Sequence, residues 1–225
     1  MTIFKNRADA GQKLAKELQT FAGQRNVIVL GLPRGGVPVA FEVAQALNVP
    51  MDIWLVRKLG VPGQEELAMG AIASGGTRVL NWEVVQMLNI SAETMVEVEA
   101  KERAELKRQE QLYRGDLPEL DVSRRQIILV DDGLATGASM RAAVLALRAQ
   151  QPAHLTVAVP TAAPEACAEF EAEVDEIICL ATPEPFMGVG AWYEEFSQIT
   201  DAEVQDFLAR AREQLPAEVE TGREG

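Results

Sequence analysis

The stretch that decides the fold runs Ile127-Ile128-Leu129-Val130-Asp131-Asp132-Gly133-Leu134-Ala135-Thr136-Gly137-Ala138-Ser139-Met140. Its first four residues are apolar without alternation, the pattern of a strand covered on both faces, as in a parallel sheet. Two carboxylates follow at once. A short turn then leads into Ala138 to Ala149, rich in Ala, Leu and Arg, all good helix formers. Strand, turn and helix in this order bring unpaired backbone N–H groups and the positive end of a helix dipole to the end of a strand, which suits a phosphate. Gly137 allows close backbone approach, and the hydroxyls of Thr136 and Ser139 can donate to phosphate oxygens. Asp131 and Asp132 cannot bind that phosphate. They suit neutral hydroxyl groups, or a divalent cation, beside it. A ligand with a phosphate at one end and a diol next to it is a ribose 5-phosphate.

Outward from this segment, further unbroken apolar runs read as strands: Asn26 to Gly31, Asp52 to Val56, Leu155 to Val159 and Glu176 to Leu180. Helices fit between them at Val37 to Leu47, with Pro38 in the first turn, and at Thr161 to Glu173. The order βαβ…βαβαβ predicts an α/β fold: a doubly wound, mostly parallel sheet flanked by helices, with a small hood and a helical insertion. Asp9 to Phe21 places Ala10, Leu14, Leu18 and Phe21 on one helical face. Ala68 to Leu80 reads as a hairpin turning at Gly75-Gly76. Asn81 to Leu88 and Ser91 to Tyr113 read as helices, the second with a solvated charged face. Thr200-Asp201-Ala202-Glu203 has the form of a capping box that opens a last helix to about Leu215. One domain spans residues 1–225: a core of about 8–181 with an insertion at 81–115, a hood and last helix at 182–215, and a polar tail at 216–225.

The 225 residues are 48% hydrophobic and 24% charged, ordinary for one large globular domain. Lys plus Arg number 21 and Asp plus Glu 34, a formal charge of −13, which argues against a nucleic-acid or anionic-membrane surface. No run approaches the roughly 18 apolar residues of a bilayer span, and Met1 to Arg7 lacks an apolar signal core. A cytoplasmic protein with reduced thiols is the expectation. Cys167 and Cys179 are too few for a disulfide scaffold or a Cys-rich zinc site and read as small core residues. A single histidine, His154, excludes a His-dominated metal centre and reads as a strand-edge residue.

The segment Leu129 to Ser139 resembles the PRPP-binding motif of the type I phosphoribosyltransferases (PRPP being 5-phosphoribosyl 1-pyrophosphate): apolar strand, two acids, a few residues, then Thr-Gly-x-Ser/Thr. The form is most similar to that of the adenine phosphoribosyltransferases, which also carry Asp-Asp, Leu and Ala-Thr-Gly. The resemblance implies that Ala135, Thr136, Gly137, Ala138 and Ser139 bind the 5-phosphate. It implies that Asp131 and Asp132 face the ribose hydroxyls and hold Mg²⁺, directly or through water. Gly31 to Gly36 looks like the family's pyrophosphate loop; Gly35 and Gly36 can present successive N–H groups as an anion nest, with Arg34 adding fixed charge. Arg57-Lys58, read as ending the second strand, resembles a basic pair that reaches the pyrophosphate. Lys58 to Leu80 resembles the flexible catalytic loop, with Gly60, Pro62 and Gly63 at its start and Glu65 and Glu66 able to reach the site on closure.

After the last strand, four aromatics fall within residues 186–196, a stretch loosely similar to the hood of the hypoxanthine-type enzymes. The similarity nominates Phe186 or Trp192 to stack on a planar base, with a satellite core as the alternative. The activity implied is Mg²⁺-dependent transfer of the phosphoribosyl group of PRPP to a nitrogenous base, a nucleobase being the first choice, with release of pyrophosphate. The partners implied are PRPP and a small-molecule base, with no nucleic acid, no membrane and a homodimer as an open option. Ala135 stands where the hypoxanthine type has an Asp that assists the purine, so a purine of that class is less favoured. The alternative is a regulator of the same fold that binds PRPP or a nucleotide without turnover.

Overall fold

The chain builds its main sheet from runs too apolar to face water. In the computed structural model, residues 3–214 are described, apart from the side chains of Glu65 and Glu66. Leu215 and the tail at 216–225 lie outside the described residues. Five strands pair in parallel in the order β2-β1-β6-β7-β8: β1 (Val27–Gly31), β2 (Met51–Ile53), β6 (Gln126–Val130), β7 (His154–Thr161) and β8 (Glu176–Ala181). Every residue of β1 is buried, and alternate residues serve opposite faces. Val27 and Val29 join a core with α1 (Arg7–Glu17), α2 (Gly36–Leu47) and α7 (Asp201–Glu213). Ile28 and Leu30 join a second core with α5 (Ala138–Ala149) and α6 (Pro164–Phe170). This is the expected α/β fold, flanked by helices on both faces.

The connection after β2 departs from expectation. The run read as one strand over 52–56 ends in the main sheet at Ile53. Trp54 still donates its N–H to the Gly31 carbonyl, but the Leu55 carbonyl accepts from Ser74, and both side chains are buried. The backbone thus crosses into a separate antiparallel sheet of β3 (Val56–Val61), β4 (Gln64–Ala73) and β5 (Arg78–Leu80). Arg57 and Lys58 begin this second sheet rather than ending a strand of the first. The stretch expected to be a flexible loop is mostly paired strand, with Val61 opposite Gln64 and only Pro62-Gly63 between them. Glu65 and Glu66 fall within β4. The insertion forms α3 (Trp82–Met87) and α4 (Ala92–Tyr113).

Three smaller differences follow. The helix expected from Thr161 starts at Pro164, because Thr161 still pairs with Ala181 in the sheet. It ends at Phe170, short of Glu173. The cysteines expected to be reduced are bonded, joining α6 at Cys167 to β8 at Cys179. The capping box at Thr200 and Glu203 is present in both directions, and α5 spans the residues expected of it. No helix among the described residues is long and apolar enough to cross a membrane.

Candidate active site

The site follows from the register of two strands. Gly31 of β1 lies beside Val130 of β6, so the loops leaving both strands emerge side by side. Between β1 and β6 the connections diverge to opposite sides of the sheet, which is where α/β sheets open a crevice for ligands. Leu32 donates its N–H to the Val130 carbonyl at 2.9 Å, tying the loops together. A Cβ on Gly35 would collide with the Asp132 carboxylate, and one on Gly36 would lie 2.6 Å from the Val130 oxygen. Gly35 has right-handed helical backbone (φ −61°, ψ −35°), so it does not form the left-handed half of an anion nest. These glycines provide close approach of the loop to the acid pair.

The second loop is a strand-to-helix turn. Leu134 is fixed by two backbone hydrogen bonds, to Thr161 at 2.9 Å and from Ala163 at 2.8 Å. Gly137 caps α5 with φ +71°, and its Cβ would lie 2.8 Å from the buried Phe170 ring. Only glycine meets both conditions. Ala135, Thr136 and Ser139 are exposed around this helix start.

The acid pair is largely buried. Asp131 accepts the Asp132 N–H at 2.8 Å. Burial, then the charge of Asp132, holds the Asp131 carboxyl well above the usual carboxylate range. Burial also raises Asp132, against the opposing pull of Arg7. The Nε and Nη2 of Arg7 both donate to Asp132 Oδ2, at 2.9 and 2.8 Å. The Tyr193 hydroxyl donates to the Asp132 carbonyl at 2.6 Å; burial and the charge of Asp132 push that phenol's pKa up.

Two cavities open here. One of about 380 Å³ is lined by Arg34, Gly35, Asp132 and Arg7, with Phe196 to Ile199 opposite. The other, about 500 Å³, brings Ser139 together with Arg57 and Lys58 from β3 and Lys101 and Glu102 from α4. Arg57 is held by Glu102 at 2.8 and 2.7 Å. Arg34 lies 3.7 Å from Asp201, whose carboxylate accepts from Tyr113 at 2.5 Å. Phe186 and Trp192 stack on each other at 6.4 Å between centroids, and Trp192 is buried. The hood aromatic that lines the cavity at Asp132 is instead Phe196, 38% exposed. Sequence reasoning misses Arg7, Glu102, Tyr193, Phe196 and Asp201 as site residues. Their partners are remote in the chain, and no local pattern marks them.

Set beside this geometry, the similarities to known proteins are specific. A model of the phosphoribosyl transferase domain matches residues 2–189. The chain belongs to that family. It is 46% identical over 211 residues to Rv0571c of Mycobacterium tuberculosis (strain ATCC 25618 / H37Rv), which bears a provisional phosphoribosyl transferase name. That match covers 94% of this chain and 47% of the relative, so the chain spans about half the length of the curated relatives it matches. A crystal structure of TT1426 from Thermus thermophilus superposes with a TM-score of 0.85 at 40% identity, covering 93% of this chain and 99% of that one. A shorter stretch of 63 residues, 28% of this chain, is 43% identical to a uracil phosphoribosyltransferase of Nocardioides sp. (strain ATCC BAA-499 / JS614).

Proposed function

We propose that this chain transfers the phosphoribosyl group of PRPP to a ring nitrogen of a planar base, releasing pyrophosphate. The observation that carries the reading is the junction of the two loops: an exposed helix start at 135–139 directly beyond a buried acid pair, against which Gly35 and Gly36 are packed. Membership of the family supports the reaction class. In this reading the α5 N-terminus and the hydroxyls of Thr136 and Ser139 bind the 5-phosphate. Asp131 and Asp132 accept hydrogen bonds from the ribose hydroxyls and orient the ring. Arg34, Arg57 and Lys58 meet the pyrophosphate, where charge grows as its bond to the ribose breaks. The cavity beside Phe196 receives the acceptor, with that ring as its aromatic wall.

The donor set fits Mg²⁺, which commonly takes one or two carboxylates and completes its shell with water and substrate phosphates. Asp132 commits Oδ2 to Arg7, and Asp131 commits Oδ1 to a backbone N–H, which leaves each acid a second oxygen. When bound, magnesium would neutralise charge on the leaving pyrophosphate. The rest is positioning by the chain itself.

The test is a panel of nucleobases with PRPP and Mg²⁺, reading pyrophosphate. Release that depends on one base and stops on chelation is the expected result. PRPP binding with no release for any base would instead favour the regulator.

A further inference from the structure

Arg7 is the first residue of α1 and 8% exposed, an uncommon place for a guanidinium. Every part of the group is used. Nε and Nη2 donate to Asp132 Oδ2, Nη1 donates to the Ser197 carbonyl at 2.8 Å, and the flat face lies 3.9 Å from the Phe196 ring centroid. One side chain thus spans the acid pair and the wall of the neighbouring cavity. Tyr193 makes a second tie between the same two pieces through the Asp132 carbonyl.

A buried ion pair kept only for stability is weakly motivated, since desolvating both partners offsets much of their attraction. This one also engages an oxygen of a substrate-facing acid, which a purely structural bridge has no reason to do. Arginine suits a different task. Its rigid fork fixes the direction of the carboxylate, and its π face fixes the aromatic ring, in one geometry. A lysine at this position offers a point charge and no plane.

We propose that Arg7 is a positioning residue that couples the two substrate subsites. It sets the direction of the remaining Asp132 oxygen toward the ribose and holds the Phe196–Ser197 wall against which the acceptor lies. Ordering of either side is transmitted to the other through one planar group. This inference rests on the reading of Asp131 and Asp132 as ribose contacts and of the Phe196 cavity as the acceptor site.

The experiment compares wild type, Arg7→Met, Arg7→Lys and Phe196→Ala, each checked for folding by circular dichroism. PRPP affinity is measured by calorimetry with Mg²⁺, and KM and kcat for the acceptor by pyrophosphate release. Arg7→Met should weaken PRPP binding and raise the acceptor KM, each about tenfold, a loss of about 1.4 kcal/mol per tenfold step, with a smaller change in kcat. Arg7→Lys should recover much of the PRPP affinity through its charge but leave the acceptor KM raised. Phe196→Ala carries the decisive reading, and carries it alone if the Arg7 variants do not fold. The Phe196 ring offers the acid pair neither charge nor a conventional hydrogen bond, yet its loss should weaken PRPP binding severalfold by freeing Arg7. Unchanged PRPP affinity in Phe196→Ala, or folded Arg7→Met with wild-type affinity and KM, overturns the coupling and leaves the proposed activity standing. A wild type that neither binds PRPP nor releases pyrophosphate overturns the activity, and the coupling with it.

Discussion

Two parts of one loop are built in opposite ways. The helix start at 135–139 is assembled almost entirely from neighbours in the chain: a strand end, a left-handed glycine and the first turn of α5, with Phe170 and two backbone bonds as outside supports. The acid junction a few residues earlier depends on partners far away. Asp132 meets Arg7 across 125 positions and Tyr193 across 61, while Arg7 reaches Ser197 across 190. The first exposes Ala135, Thr136 and Ser139 and carries no charge; the second is largely buried and ionic. Changes to the exposed residues of the first should therefore alter binding with little effect on folding, and changes in the second should alter both.

The largest expected effect tests that contrast directly. Asp132→Ala leaves the Arg7 guanidinium buried without its carboxylate, and breaking such a pair from one side costs roughly 3–5 kcal/mol of stability. Thr136→Val, on an exposed residue of the same loop, should change stability by no more than about 0.5 kcal/mol. It should still weaken PRPP, since a hydrogen bond to a charged group contributes roughly 1.5–3 kcal/mol. Urea unfolding and calorimetry on both variants check the pair. Equal stabilities would erase the distinction.

A smaller effect marks where the local part stops being local. Gly137→Ala forces an L side chain into a left-handed conformation, costing roughly 1–2 kcal/mol, and pushes its Cβ against the fully buried Phe170 ring. Part of that cost is relieved if Phe170 is shortened. The double variant Gly137→Ala with Phe170→Leu should thus be more stable than the sum of the two single changes. Additive thermal-melting losses would show that the backbone alone accounts for the glycine.

The two parts are unequally legible in sequence. The strand, turn and helix around Gly137 follow from apolar continuity, a glycine and helix propensity, all read within a few residues, and the structure has that turn and helix. The same holds for the capping box at Thr200. The small antiparallel sheet is half visible. Its Gly75-Gly76 hairpin is recognisable, but Gly60, Pro62 and Gly63 read as loop mobility when Pro62-Gly63 is a tight turn between paired strands. Glycine and proline mark a change of direction without saying whether hydrogen bonds resume on the far side. Trp54 and Leu55 look like strand because they are buried; that their backbone leaves one sheet for another is not visible in side-chain type. Cys167 and Cys179 come together only because α6 folds back beside β8. Arg7 has an ordinary helix-start context, and its role exists only once residues 132 and 196–197 are brought to it.

The least effect expected is on the pH profile, and it also separates the two parts. The loop at 135–139 contains no ionisable side chain. The acid junction contains two carboxyls held above their ordinary range, Asp131 by burial and by Asp132's charge, Asp132 by burial that Arg7 only partly offsets. A carboxyl with a raised folded-state pKa takes up a proton in the folded chain before it does so in the unfolded one. In the ligand-free protein its contribution to stability therefore increases as pH falls from neutral through that raised value, levelling off near 3.8. Asp9, Glu99 and Asp175 act in the opposite sense. Hydrogen bonds to Lys13, Arg103 and Arg148 hold them below their ordinary values, and their contribution is lost as pH falls below about 4. The melting temperature should thus rise modestly on mild acidification before it drops. Asp131→Asn removes one of the two groups behind the rise, so its profile should climb less than the wild type's. Thr136→Val should run parallel to wild type throughout. A wild-type curve that only falls from neutral pH, or one that Asp131→Asn leaves unchanged, would mean that the buried pair is not the source of the acid-side stability.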